Sequence, residues 1–331
     1  MPATIKDIAR HARVSTATVS LSLRDDQRIL PATRKRVARV AAKLGYVPSN
    51  LGRALQSRRS SLVGFLLADV TTSFYSEILQ GAGEAATTAG YGLLLCVTSG
   101  SVENAKTHLK LLREKRIDGL IVSTAFLRLS SDLLAFENAQ IPVVVCSNDS
   151  FSESVPGVVV DNRLGGEMAT EHLIRLGHRR IAYCFKYLWS DMTRRHQGCA
   201  NAAKRSGVPI PASIATERSL LQALKSPNRP TAVVAYSDLD AIRVLRMAAQ
   251  VPLRVPEDLS VVGFDDLWPA SQPEYDLTTI AQPRIEIGRH SMELLLQRLR
   301  GEKAESVMLK PRLVVRGSTA APPPEDMRDD A

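Results

Sequence analysis

The stretch that decides the architecture is residues 4–23, Thr4-Ile5-Lys6-Asp7-Ile8-Ala9-Arg10-His11-Ala12-Arg13-Val14-Ser15-Thr16-Ala17-Thr18-Val19-Ser20-Leu21-Ser22-Leu23. Thr4 followed three residues later by Asp7 is a capping-box-like start to a helix. Ile5, Ile8, Ala9 and Ala12 then recur at helical spacing. The pattern breaks at Arg13-Val14. Ser15 is placed to cap a second helix over residues 16–23, with Val19 and Leu23 turned inward. Downstream, Pro31 suits the first position of a third helix whose apolar face is Val37, Val40, Ala41 and Leu44, and Gly45 stops it. Two short helices joined by a tight turn and backed by a third make a helix-turn-helix unit.

Charge singles out the same segment. The chain has 331 residues and a formal net charge of +9. Residues 1–60 hold 13 Lys and Arg against three acids, whereas residues 61–331 hold 30 against 31. The basic excess therefore lies wholly in the first sixth of the chain. A basic, folded N-terminal unit on a near-neutral body implies a polyanion partner, because Lys and Arg that neutralise phosphates release counterions.

The remaining composition excludes several classes. Hydrophobic residues at 44% and charged residues at 23% are ordinary for a globular chain and rule out wholesale disorder. The cysteines, Cys96, Cys146, Cys184 and Cys199, are far apart and form no CxxC pair, so buried free thiols in a reducing compartment are expected rather than a disulfide framework or zinc site. The charged N-terminus lacks the apolar centre of a signal peptide, and no apolar run reaches a membrane-spanning length. A cytoplasmic protein without membrane association is the expectation.

Residues 5–20 carry the pattern I-K-D-I-A-x-x-A-x-V-S-x-x-T-V-S, and residues 45–55 carry G-Y-x-P-S-N-x-G-R-x-L. With these motifs the N-terminus resembles the LacI/GalR family of transcription regulators. The resemblance implies that the second helix enters the major groove of operator DNA. By motif position, Thr16, Ala17 and Leu21 are the base-reading candidates, and Ser15, Thr18 and Ser20 the phosphate-contacting ones. Many members have a polar or charged residue at the position of Leu21. A leucine can contact a thymine methyl but cannot hydrogen-bond a base; alternatively it packs on the third helix. Residues 48–56 resemble the family's hinge helix, in which Leu55 is the leucine that wedges into the minor groove.

From residue 62 the pattern changes to apolar strand-like runs alternating with helical stretches. Strands are expected at 62–67, 92–97, 119–122, 142–146, 158–160, 181–185, 232–235 and 259–264. Helices are expected at 74–89, 103–115, 164–176, 238–250 and 285–300. Continuous apolar strands between amphipathic helices imply parallel sheets covered on both faces. The fold class is α/β: an all-α helix-turn-helix headpiece plus two lobes, each a doubly wound parallel sheet. The family resemblance continues through R-I-D-G-L-I-V, V-V-V-D-N-R-L-G-G, L-G-H-R-R-I-A, V-G-F-D-D and L-T-T-I-A-Q-P, and implies a periplasmic-binding-protein-like effector domain. The expected boundaries are 1–47 for the headpiece, 48–61 for hinge and linker, and 62–318 for the body. Within the body, lobe 1 takes 62–161 and 284–304, and lobe 2 takes 162–283 and 305–318. Residues 319–331, with Pro322-Pro323-Pro324, read as a disordered tail.

Motif positions nominate Phe74, Tyr75, Trp189, Asp191, Arg195, Ser237 and Asp265 as effector-binding residues. Aromatic walls, carboxylates and a guanidinium suit a polar ligand, with carbohydrate the default of the family. Phe74 and Tyr75 also read as ordinary helix-start core, and Asp265-Asp266 as a cap. Around Trp189-Ser190-Asp191 the sequence departs from the usual sugar- and purine-binding patterns, and between Ile210 and Arg229 it is shorter than a typical member. No Walker loop, GxSxG, HExxH or GxGxxG after a strand is present, and the six histidines have no metal-ligand spacing. No enzyme, cofactor or metal is expected. The reading is a repressor that binds a pseudo-palindromic operator as a homodimer, with a small-molecule effector between the lobes. A constitutive regulator without effector, or a transport-type solute-binding protein, is the alternative.

Overall fold

The first two helices begin where side chains satisfy otherwise unpaired amides. A computed structural model describes residues 3–46, 60–123, 130–147, 155–185 and 190–324. Helix α1 spans Ile5–Ala12; the Thr4 hydroxyl accepts from the Asp7 amide at 3.3 Å, and the Asp7 carboxylate accepts from the Thr4 amide at 3.0 Å. It ends at Arg13, whose φ of 53° is left-handed. Helix α2 spans Thr16–Leu23, capped by the Ser15 hydroxyl, which accepts from the Thr18 amide at 3.0 Å. Helix α3 spans Pro31–Lys43. Ile8, Ala9, Ala12, Val19, Val37 and Ala41 form the buried core between them, with Leu23, Val40 and Leu44 packed on it. The three expected helices are therefore present, with the expected apolar faces.

The chain divides into two compact units, residues 1–60 and 61–331. In the second unit strand and helix alternate. The first part runs β1 (Leu62–Leu67), α4 (Ser73–Thr88), β2 (Gly92–Val97), α5 (Val102–Glu114), β3 (Gly119–Ser123), α6 (Ser130–Asn138), β4 (Val143–Cys146) and β5 (Gly157–Val160). The second runs α7 (Asn162–Arg175), β6 (Ile181–Cys184), α8 (Ser190–Arg205), β7 (Ala212–Ile214), α9 (Glu217–Leu224), β8 (Ala232–Ala235), α10 (Asp238–Gln250), β9 (Ser260–Asp265) and β10 (Thr278–Ala281). The chain then returns through α11 (Arg284–Leu299), β11 (Val307–Leu309) and β12 (Arg312–Val314).

Two six-stranded sheets result, in the orders β11-β5-β4-β3-β1-β2 and β12-β10-β9-β8-β6-β7. The pairings are parallel except β10 with β12. The near-continuous apolar strands, such as β3 and β4, are buried along their whole length, as a sheet covered on both faces requires. The chain passes between the sheets after β5, after β10 and between β11 and β12. Helices α4 and α11 pack closely in the first lobe and α7 and α8 in the second. In both pairs glycines (Gly81 and Gly288; Gly166 and Gly198) lie against backbone carbonyls of the facing helix, leaving no space for a β-carbon.

Three boundaries differ from expectation. Strand β11 pairs with β5, so the first lobe reclaims the chain to Leu309, not residue 304. Ser61, expected in the linker, belongs to the body: its amide donates to Asp118 at 2.9 Å and its carbonyl accepts from Gly92. The start of the expected disordered tail is held. The amide of Ala320 donates to the Ser260 hydroxyl at 3.0 Å, and the Thr319 hydroxyl lies 2.9 Å from His172. Residues 325–331 lie outside the described residues. All four cysteines are free; Cys96, Cys146 and Cys199 are buried, and Cys184 is half-buried. Among the described residues no helix is long and apolar enough to cross a membrane.

Candidate functional site

The headpiece presents α2 as its candidate reading face. Thr16 and Ala17 are exposed and Leu21 is half-buried. Leu21 is not part of the apolar core or of the side chains packed on it. It is half-buried, so part of its side chain remains accessible to a base edge while the rest packs within the headpiece. Ser15 and Thr18, nominated for phosphates, hydrogen-bond each other at 2.9 Å and form the cap of α2. A hydroxyl has one donor and two lone pairs, so the cap leaves capacity for a phosphate oxygen. Ser20 is half-buried on the same helix. Leu55 lies outside the described residues.

In the body, a cavity of about 730 Å³ lies where the C-terminal ends of both sheets' strands face each other. This is where doubly wound sheets bind ligands, because the chain turns away there and leaves a crevice. The first lobe contributes Phe74 and Tyr75 from the start of α4, their rings edge to face with centroids 5.1 Å apart. The second contributes Asp191, Arg195, Tyr236 and Asp265. Gln282, on the crossover after β10, completes the wall.

Arg195 is 4% exposed and organises the second-lobe side. Its Nε donates to Asn162 at 2.8 Å, and Nη1 donates to the Tyr236 carbonyl. Its guanidinium also faces Asp191 at 3.6 Å and Asp265 at 3.7 Å, and stacks 3.6 Å from the Phe264 ring centroid. The Tyr236 hydroxyl donates to Asp191 at 2.8 Å, and the Gln282 amide nitrogen donates to Asp265 at 2.6 Å. Burial pushes the Asp265 carboxyl up to about 6, with the Arg195 guanidinium pulling the other way. The Gln282 Oε1 is buried with no partner among the described residues. The wall is thus rich in acceptors, while much of the guanidinium's donor capacity is already used.

Of the seven nominated residues, the structure brings Phe74, Tyr75, Asp191, Arg195 and Asp265 together. Trp189 lies outside the described residues. Ser237 does not line the cavity; its hydroxyl accepts from the Asp240 amide at 3.2 Å and caps α10. The adjacent Tyr236 faces the cavity instead. Sequence reading also missed Asn162 and Gln282, although V-V-V-D-N-R and L-T-T-I-A-Q-P place both at strand ends. Asp161 caps α7, and Asp238 accepts from Thr279 and Leu267, so these carboxylates hold backbone in place. No cluster among the described residues could hold a metal ion.

Comparison with known proteins agrees with this architecture. Residues 4–49 match the model of bacterial regulatory proteins of the lacI family, and residues 170–319 match that of the periplasmic binding protein-like domain. The HTH-type transcriptional repressor CytR of Escherichia coli strain K12 is 35% identical over 336 residues, covering 97% of this chain and 97% of its own. The structure of the lac repressor dimer bound to operator and the anti-inducer ONPF matches with a TM-score of 0.86 and 27% identity, over 97% of this chain and 100% of that one. A complex of the transcriptional regulator CelR with cellobiose matches with a TM-score of 0.71 and 29% identity, over 96% and 99%. A basic three-helix headpiece, a two-lobed body around a cavity and full-length relatives of the same construction lead to one conclusion: the chain belongs to the lacI family of bacterial regulatory proteins.

Proposed function

We propose that this protein is a transcriptional repressor that binds a pseudo-palindromic operator as a homodimer and changes its operator affinity when a small neutral polyol, a carbohydrate by class, occupies the cavity between its lobes. The observation that carries the reading is the exposed face of α2 on a strongly basic unit. Thr16, Ala17 and Leu21 lie outside the headpiece's buried apolar cluster, and a two-fold dimer presents that face to two half-sites. Ser15, Thr18 and Ser20 position the helix on the phosphates, and Leu55 wedges the minor groove at the site's centre.

The cavity supports the effector part. Aromatic faces on one side, and Asp191 and Asp265 on the other, suit a ligand that brings hydroxyl donors to a flat apolar surface. CelR, a structural neighbour, is in complex with a sugar of that kind. Ligand bound across the crevice favours one lobe spacing over another, and the operator affinity follows by linkage.

Two experiments test this. Selection of bound sites from random DNA is expected to return a two-fold symmetric motif; an asymmetric or absent motif refutes the dimeric reader. Thermal-shift screening against sugars, nucleosides and amines is expected to return hydroxyl-rich neutral compounds. No hit at millimolar concentration, with intact DNA binding, favours a constitutive regulator.

A further inference from the structure

Asp265 and Asp266 are consecutive non-glycine residues with φ of 112° and 56°. Backbone of this kind is sparsely populated and persists only where its surroundings over-determine it, commonly at ligand sites. The restraint is visible. Arg284, the first residue of α11, donates through its guanidinium to the carbonyl oxygens of both Asp265 and Asp266. The same guanidinium donates to both carboxylate oxygens of Glu77 on α4, at 3.0 and 2.8 Å. From the other side, Arg316 holds the Asp266 carboxylate at 2.7 Å.

Arg284 is buried and Glu77 half-buried, and neither lines the cavity. What the turn delivers to the cavity is the Asp265 carboxyl. Glu77 belongs to the first lobe and Asp265 to the second, so the guanidinium spans the two. A planar fork of five donors can grip a carboxylate along one edge and carbonyls along the other; an ammonium cannot.

We propose that the Glu77–Arg284 pair is a positioning device for the cavity, tying the first lobe to the strained Asp265–Asp266 turn and thereby setting where the Asp265 carboxyl stands. A lobe movement that draws α4 away from β9 breaks this fork and lets the turn relax, so the cavity offers that acceptor only at the right lobe spacing. The inference rests on reading the cavity as the effector site, but its test needs no effector.

The test follows the Asp265 carboxyl by ¹³C NMR titration, and amide hydrogen exchange at residues 265–267, in the full-length chain. The charged and titratable groups around Asp265 are Arg195, Asp191, Asp238 and Arg284, with the hydroxyls of Tyr75 and Tyr236. Arg284→Lys keeps the charge and removes the fork. The Asp265 midpoint is expected to fall by about one pH unit as water reaches the relaxed turn, and exchange at 265–267 to accelerate about tenfold or more. Glu77→Gln, at the half-buried end, is expected to act in the same direction and tests the idea if Arg284→Lys folds poorly. The double variant is expected to be no worse than the stronger single one, because both break one link. An unchanged midpoint and exchange in Glu77→Gln, or effects that add in full, overturn the proposal. If Asp265 responds as described while no small molecule binds, the positioning pair stands and the effector reading falls.

Discussion

Gly166 of α7 lies against the backbone carbonyl of Arg195 on α8, with no room between them for a β-carbon. The residue that organises the cavity therefore sits at a point of close approach between two helices. Gly166→Ala has no flexible neighbour to displace and must push α8 outward, carrying Arg195 with it. The expected loss of body stability is about 1–3 kcal/mol, the range for overpacking a filled site. Urea denaturation of the full chain checks this, and a midpoint equal to wild type would show that the helices part without penalty.

Arg195→Ala is expected to lose more than ligand response. The guanidinium answers Asn162, the Tyr236 carbonyl, Asp191 and Asp265 at a buried position, and its removal leaves buried acceptors and carboxylates uncompensated. Breaking a buried pair from one side costs about 3–5 kcal/mol. Equilibrium unfolding measures it, and a change below about 1 kcal/mol would mean that water reaches these groups freely.

Asp265 gives the body a pH dependence of known sign. Its carboxyl is held at about 6 in the folded chain by burial, above the ordinary carboxylate value of 3.8. The folded state then binds the extra proton, and the resulting stabilisation is complete below about pH 4 and lost as pH rises through about 6. Burial raises Asp238 in the same direction. Comparing wild type with Asp265→Asn between pH 4 and pH 7, the wild-type stability is expected to fall more steeply with pH. Parallel curves would show that Asp265 titrates as it does in the unfolded chain.

The physics of burial explains what sequence reading could and could not find. Strands such as β1, β3 and β8 are continuous apolar runs, and their limits were legible to within a residue or two. Strand β10 begins Thr278-Thr279, and its fully buried hydroxyls bond to the Arg316 carbonyl and to Asp238, so its polarity hid it. Helix α8 is mostly polar on its sequence alone, because the lobe buries it through small residues (Gly198, Cys199, Ala202 and Ala203) rather than a leucine stripe. In the cavity, Arg195 and Asp265 were found by motif position. Tyr236 and Ser237 were exchanged because a hydroxyl one residue before a helix is needed as its cap, which turns it away from the ligand side.

Leu21 offers a test confined to the reading helix. Because it lies outside the buried apolar cluster of the headpiece, Leu21→Ala is expected to change headpiece stability by less than about 1 kcal/mol while weakening specific operator binding by about 1 kcal/mol or more. If its partner is a thymine methyl, replacing that thymine by uracil in the selected operator removes the same interaction. The variant and the modified DNA together are then expected to lose no more than either alone. Full additivity would place Leu21 away from the base edge.

Leu55 separates wedge from charge. If Leu55 is the wedge proposed above, it contributes through unstacking and bending at the centre of the operator and neutralises no phosphate. Leu55→Ala is accordingly expected to weaken operator binding by about tenfold or more while non-specific binding changes little. The slope of log affinity against log salt should stay at the wild-type value, since the 13 basic residues of the first 60 are untouched. Neutralising Lys35, Arg36 or Arg39 on α3 is expected to do the reverse for whichever of them meets a phosphate, lowering both affinities and flattening the slope by about one for each phosphate left without its cation. Titrations with selected and scrambled duplexes at several salt concentrations distinguish the two. Equal weakening on both duplexes in Leu55→Ala would remove the wedge from the mechanism.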